Sequence, residues 1–195
     1  MAGSVESRGQ RRHSWRTAPW IIAAILLLLP FAAMQFTDHM NWDETDFIVF
    51  GAMLLGACAA YELAARMTGN AAYRAAVGVA VVAAFILVWM NLAVGIIGSE
   101  DNPANLMYGG VLAVTILGGL RVRFQPHGMA RVLAATALAQ ALVGTVALMA
   151  GLGSTGANWP VVIFVLTGFF SALWLISAWL FRKAAREGSS AAAAP

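Results

Sequence analysis

The chain has 195 residues, of which 61% are hydrophobic and only 11% charged, where an ordinary soluble domain carries about 25% charged residues. That composition excludes a water-soluble globular fold. The net charge of +3 comes from basic residues gathered at the ends of apolar runs, without the aromatic interleaving of a nucleic-acid surface, and a single cysteine excludes an intramolecular disulfide.

In chain order, residues 1–17 form a basic tail carrying Arg8, Arg11, Arg12 and Arg16. Six apolar spans follow, at residues 18–36, 47–65, 75–97, 106–120, 132–152 and 161–181. Most approach the roughly 20 residues that a helix needs to cross about 30 Å of hydrocarbon. The expected fold class is therefore all-α, a polytopic bundle of about six transmembrane helices occupying residues 18–183. The tail 184–195 is rich in Ser and Ala with no apolar face and is expected to be disordered. The first span resembles a signal peptide, but no cleavage position has small residues one and three places before the cut. It is taken as a retained helix, kinked or locally unwound at Pro30. The fourth span is the shortest and holds Gly109, Gly110, Gly118 and Gly119, which makes it the least regular crossing.

All twelve Lys and Arg residues fall on one side of these six spans. Arg66 and Arg74 bracket the second loop, Arg121, Arg123 and Arg131 the fourth, and Arg182, Lys183 and Arg186 follow the last span. The excess of basic residues in cytoplasmic segments then puts both termini in the cytoplasm. The opposite side has no basic residue and collects Asp38, Asp43, Glu44, Asp46, Glu100 and Asp101. Trp20 and Trp179 on one side, and Trp42 and Trp159 on the other, suit interfacial anchors. A slide of 57 residues superimposes Asp43 and Glu44 on Glu100 and Asp101, and Arg66 and Arg74 on Arg123 and Arg131. Topology alone produces that pattern, so it carries no claim of duplication.

Packing signals are stronger than chemical ones. Ala137, Gln140, Gly144, Ala147 and Gly151 recur at steps of three and four, which lines one face of the fifth span with small residues. Asn91, Gly95 and Gly98 are expected to share a face in the third span, and Gly51, Cys58 and Glu62 in the second. Glu62 is the only ionisable residue embedded in a span, and by default such a carboxylate is a proton or cation site. It also stands four residues before Arg66, the favourable order for a helical ion pair, and that structural pairing is the preferred expectation. Asn91 and Gln140 are expected to join helices by hydrogen bonds, with a polar transport path as the alternative.

The acidic loop around Asp38, His39, Asp43, Glu44 and Asp46, with Glu100 and Asp101, supplies oxygen and imidazole ligands for a divalent cation, but its spacing matches no known metal motif. Asp43 or Asp46 serves equally well at a helix entry. In the third loop, Asn102-Pro103-Ala104 is a single copy of the triplet that aquaporins use twice, and capping by Asp101 or Asn102 with Pro103 in the first turn accounts for it. His13, His39 and His127 lie outside the spans, which excludes a buried bis-histidine haem. No span contains a lysine for a Schiff base, Ser154 lacks the context of a nucleophile, and no phosphate-binding loop is present, so no cofactor and no catalytic residue are expected.

The segment from Trp89 to Tyr108, which includes NLAVGIIGSEDNPANLMY, resembles a family of small uncharacterised multi-spanning membrane proteins of proteobacteria, together with Met34-Gln35-Phe36-Thr37, Tyr61-Glu62-Leu63-Ala64 and Gly128-Met129-Ala130-Arg131. The resemblance covers the six spans and implies a bacterial inner membrane, with no activity or site residue attached to it. Two functions then stand. One is a non-enzymatic accessory, assembly or homo-oligomeric membrane component, whose partners are the bilayer and another membrane protein or a second copy. The other is a small proton, cation or solute transporter using Glu62, Asn91 and Gln140.

Overall fold

The computed structural model describes residues 3–36, 42–156 and 158–192, with side chains described from 17 to 190 within these ranges. Among these residues there are six α-helices and no strand: α1 (Gly3–Ala33), α2 (Glu44–Met67), α3 (Ala71–Ala93), α4 (Met107–Arg121), α5 (Pro126–Met149) and α6 (Val161–Ala192), with a 3-10 turn at Pro103–Leu106 leading into α4. Five helices, counting α4 with its leading turn, are long and apolar enough to cross a membrane, and the apolar part of α1, Thr17–Ala33, is a little shorter. The protein is an integral membrane protein with an all-α polytopic fold.

Several boundaries differ from those expected. α1 begins at Gly3, so the basic stretch continues the helix, and the helix passes through both Pro19 and Pro30 without the unwinding expected at Pro30. α6 runs on to Ala192 through residues expected to be disordered. The alanines and charged residues of 184–187 favour helix, and Ala184 is buried. α3 ends at Ala93, four residues before the expected end of its span. The cause is Gly95, at φ +70°, whose amide donates to the carbonyl of Met90 at 2.9 Å and closes a Schellman-type end. Gly95 and Gly98 therefore lie beyond the helix and share no helical face with Asn91, because apolar Val94, Ile96 and Ile97 had concealed the break in the sequence.

The chain divides into two compact units, Met1–Arg66 and Met67–Pro195. The first comprises α1 and nearly all of α2. There the Cys58 thiol donates to the Pro19 carbonyl at 3.4 Å, and the Leu27 side chain lies against Gly51. At the entry of α2, Asp43 and Asp46 form a reciprocal capping pair: the Asp46 amide donates to Asp43 Oδ1 at 2.9 Å and the Asp43 amide to Asp46 Oδ2 at 3.0 Å. Trp42 stacks edge-on to Phe47 and Phe50 beside it.

In the second unit α6 packs along both α3 and α5, and α5 packs on α4. Trp174, Phe170, Phe181, Leu87, Leu133 and Ile163 are fully buried between them. Lipid tails are as apolar as these side chains, so helices in a bilayer associate through close packing and interhelical hydrogen bonds. Both devices are present. Gly144 allows α5 to lie directly on Thr167 of α6, and Gly118 allows α4 to lie on Val132 of α5. The Ser177 hydroxyl donates to the Ala76 carbonyl across α6 and α3 at 2.7 Å, and Thr115 and Thr136 join α4 to α5 at 3.0 Å. Near the start of α3, Tyr73 packs edge-on against Phe181 and its hydroxyl donates to the Phe124 carbonyl at 2.9 Å, while Asn70 donates to Glu187.

A methyl group at position 144 would collide with the Thr167 side chain, its oxygen and both its carbons included, whereas one at position 168 meets nothing within 4 Å. Gly144→Ala is expected to cost about 1–3 kcal/mol by forcing α5 and α6 apart. Gly168→Ala is expected to be neutral or slightly stabilising through helix propensity. Thermal unfolding of the two variants in detergent micelles checks the pair.

Candidate functional site

Both carboxylate oxygens of Glu62 are engaged by protein donors. One carboxylate oxygen, Oε1, accepts from Arg66 Nη2 at 2.7 Å and from Arg66 Nε at 3.2 Å; the other, Oε2, accepts the indole N–H of Trp20 at 2.9 Å. The helical pair was legible in the sequence from the four-residue spacing, but the Trp20 donor on α1 was not. Glu62 keeps 20% side-chain exposure and Arg66 63%, so the pair sits at the margin of α2 rather than in a sealed interior.

Of the acidic loop residues, Asp38 and His39 lie outside the described residues. Asp43 and Asp46 spend one oxygen each on the backbone amides at the entry of α2. Glu44, Glu100 and Asp101 are exposed. Among the described residues no group of three or more His, Cys, Asp or Glu side chains is arranged to hold a metal ion.

The third loop is far more ordered than a short connection between spans requires. Asn105, buried at its centre, accepts the backbone amides of Ile96 at 3.1 Å and Ile97 at 2.9 Å through Oδ1 and donates through Nδ2 to the Ser99 carbonyl at 2.7 Å. One side chain thereby satisfies three backbone groups in a segment that has left the helix. Asn102, not Asp101, is the cap: its Oδ1 accepts the Ala104 amide at 3.0 Å, and Pro103 follows in the first turn. Ile96 and Ile97 are fully buried under this loop. Gly98, at φ +82°, and Gly153, at φ +74°, bring the loop's backbone against that of the α5–α6 connection, where a side chain at Gly153 would be in collision and one at Gly98 tightly crowded. The result is a hydrogen-bonded cap over the end of the four-helix unit.

Beneath the cap the unit contains a set of buried polar atoms with no protein partner: Asn91 Oδ1, the Tyr108 hydroxyl, both amide atoms of Gln140, the hydroxyls of Thr167 and Ser171, and the Trp174 indole N–H. Gln140 and Trp174 are completely inaccessible and Tyr108 nearly so. The contact of Gly144 with Thr167 fixes the register of the antiparallel α5 and α6. One turn along, Gln140 is level with Ser171, and Trp174 follows three residues later on the same face of α6. From α4, the Tyr108 hydroxyl faces Thr167 without closing a hydrogen bond. Asn91 stands one turn beyond Leu87 on the buried face of α3 and donates to the Leu87 carbonyl at 2.7 Å.

The structure thus places Asn91 and Gln140 in the four-helix unit, alongside other unpartnered polar groups the sequence did not reveal, and commits Glu62 within the other unit. Tyr108, Thr167, Ser171 and Trp174 escaped detection because each is unremarkable alone. The four-residue step from Thr167 to Ser171, continued to Trp174, is the sequence signal that was available. Comparison of the chain with protein families, with curated proteins and with solved structures gives no match.

Asn105→Ala removes three hydrogen bonds to buried or half-buried backbone and is expected to cost about 2–4 kcal/mol, well beyond the roughly 0.5–2 kcal/mol expected for removing the cap in Asn102→Ala. Equilibrium unfolding of the two variants, read by near-ultraviolet circular dichroism, distinguishes an organising residue from a simple cap.

Proposed function

We propose that this protein is a non-enzymatic component of a bacterial inner membrane, with both termini cytoplasmic, that works through helix packing as an accessory or assembly partner of a larger membrane complex or as a homo-oligomer. The observation that carries this proposal is the triple engagement of Glu62. A carboxylate that relays protons or cations must exchange partners, and removing one from an ion pair and an indole donor opposes that exchange. With Glu62 held, the spans of α2 to α6 contain no acid, lysine or histidine at mid-depth. The glycine-mediated contacts of the four-helix unit and its hydrogen-bonded cap support a scaffold, and the resemblance of the Trp89–Tyr108 segment supports the bacterial membrane.

Glu62→Gln retains an acceptor for Trp20 and loses the charge facing Arg66. It is expected to lower stability by about 0.5–1 kcal/mol, the size of a largely exposed pair, and to leave proton and potassium flux into proteoliposomes at the level of protein-free vesicles, as in the wild type. Native mass spectrometry of the wild type in lipid nanodiscs is expected to show a stoichiometric partner or a defined self-assembly. A wild-type flux that Glu62→Gln abolishes would overturn the proposal in favour of transport.

A further inference from the structure

The polar atoms inside the four-helix unit call for an occupant, and their chemistry specifies it. Gln140 offers two donors and an acceptor in a position with no solvent access, and neither amide atom has a protein partner. An amide left in that state costs several kcal/mol, about as much as a large fraction of a domain's stability. Level with it on α6 is the Ser171 hydroxyl, one turn away is the Thr167 hydroxyl, and Tyr108 faces Thr167 from α4. The behaviour of other hydroxyls in these helices sharpens the contrast. The hydroxyls of Thr115, Thr136 and Thr145 lie 3.2, 3.0 and 2.8 Å from the carbonyl four residues back; Thr145 donates to its carbonyl, and of the linked pair Thr115 and Thr136 one donates back to its own helix and the other to its neighbour, so all three are satisfied in ordinary ways. Thr167 and Ser171 leave that bond unmade, and their oxygens are buried at the interface of α6 with its neighbours.

We infer that Gln140, Ser171, Thr167 and Tyr108 bind a short file of water molecules between α4, α5 and α6. From Thr167 to Trp174 the unpartnered groups extend about 10 Å along α6, at 1.5 Å per residue. Gln140 on α5, Ser171 and Thr167 on α6 and Tyr108 on α4 contribute unpartnered polar atoms from three helices, and a stable buried water needs two or more such partners. The site contains donors and acceptors but no ionised group, so it selects a neutral hydrogen-bonding occupant, and an ion would lose its hydration without gaining a counter-charge. The cap held by Asn105 lies over the end of the unit where Tyr108 and Asn91 stand, and Ile96 and Ile97 close it with apolar bulk. The file is therefore an internal hydration site, which holds whether or not the protein serves as a scaffold.

Water-edited solid-state NMR of the wild-type protein in lipid bilayers reads this directly. Magnetisation transfer from water to the Gln140 side-chain amide is expected within about two-fold of the rate at an exposed loop amide such as Ser154, and about ten-fold faster than at the lipid-facing Leu142 amide, because a bridging water sits at hydrogen-bond distance. Gln140→Met assigns the signal; if that variant does not fold, assignment through the Gln140 backbone replaces it. A transfer rate equal to that at Leu142, or a direct contact between the Gln140 amide and Ser171 Oγ without transfer from water, would overturn the inference. Transfer that disappears on extensive dialysis of the sample while the fold persists would show a small neutral solute in place of water, and would overturn it too. Flux through Glu62 bears on none of these outcomes, so the inference and the proposed function fail separately.

Discussion

Hydrocarbon offers no hydrogen bonds, and the rest of this structure follows from that constraint. Every backbone amide and carbonyl that leaves a helix within or near the bilayer must find a partner inside the protein. The third loop shows how demanding this is: once Gly95 has ended α3, two consecutive amides and a carbonyl would be stranded, and a single buried asparagine collects all three. The same constraint acts on side chains. Threonines bond back to their own helices, Ser177 reaches across to Ala76, and Tyr73 reaches the carbonyl of Phe124, itself in a left-handed turn at φ +53°.

Against that background, close approach between helices is the second organising device. Gly144 and Gly118 are valuable for what they lack, because a side chain at either position would separate two helices whose contact has no hydrophobic driving force to restore it. The small-residue face of α5 does two jobs at once. Gly144 brings α6 near, and that proximity carries Gln140 to the level of Ser171, so the polar interior is a by-product of tight packing as much as of polarity.

Much of this was legible in the sequence, and the reasons for success and failure are physical. Hydropathy located the six helices because solvent matching acts along the whole length of a span. The pairing of Glu62 with Arg66 was visible because both lie on one helix, where spacing is geometry. The end of α3 was missed because Ile96 and Ile97 are as apolar as a helix in lipid, although they are buried under a loop rather than within a span. Trp20 as a donor to Glu62, and Tyr108 beside Thr167, depend on contacts between segments far apart in the chain, which local patterns do not encode. Asn105 belonged to a segment singled out for resemblance, yet its role became apparent only with the backbone path.

The placement of Arg66 on the same helix as Glu62 also matters before any tertiary structure exists. A carboxylate in a bilayer is costly, about 2.5–3.5 kcal/mol at the centre of a helix on the insertion scale and less toward its margin, where Glu62 stands. Because Arg66 is one turn away, the two charges offset each other as soon as α2 coils, without waiting for α1 or any later segment to arrive. The pairing of Glu62 with Arg66 thus needs only α2 itself, whereas the Trp20 hydrogen bond needs α1 and α2 together.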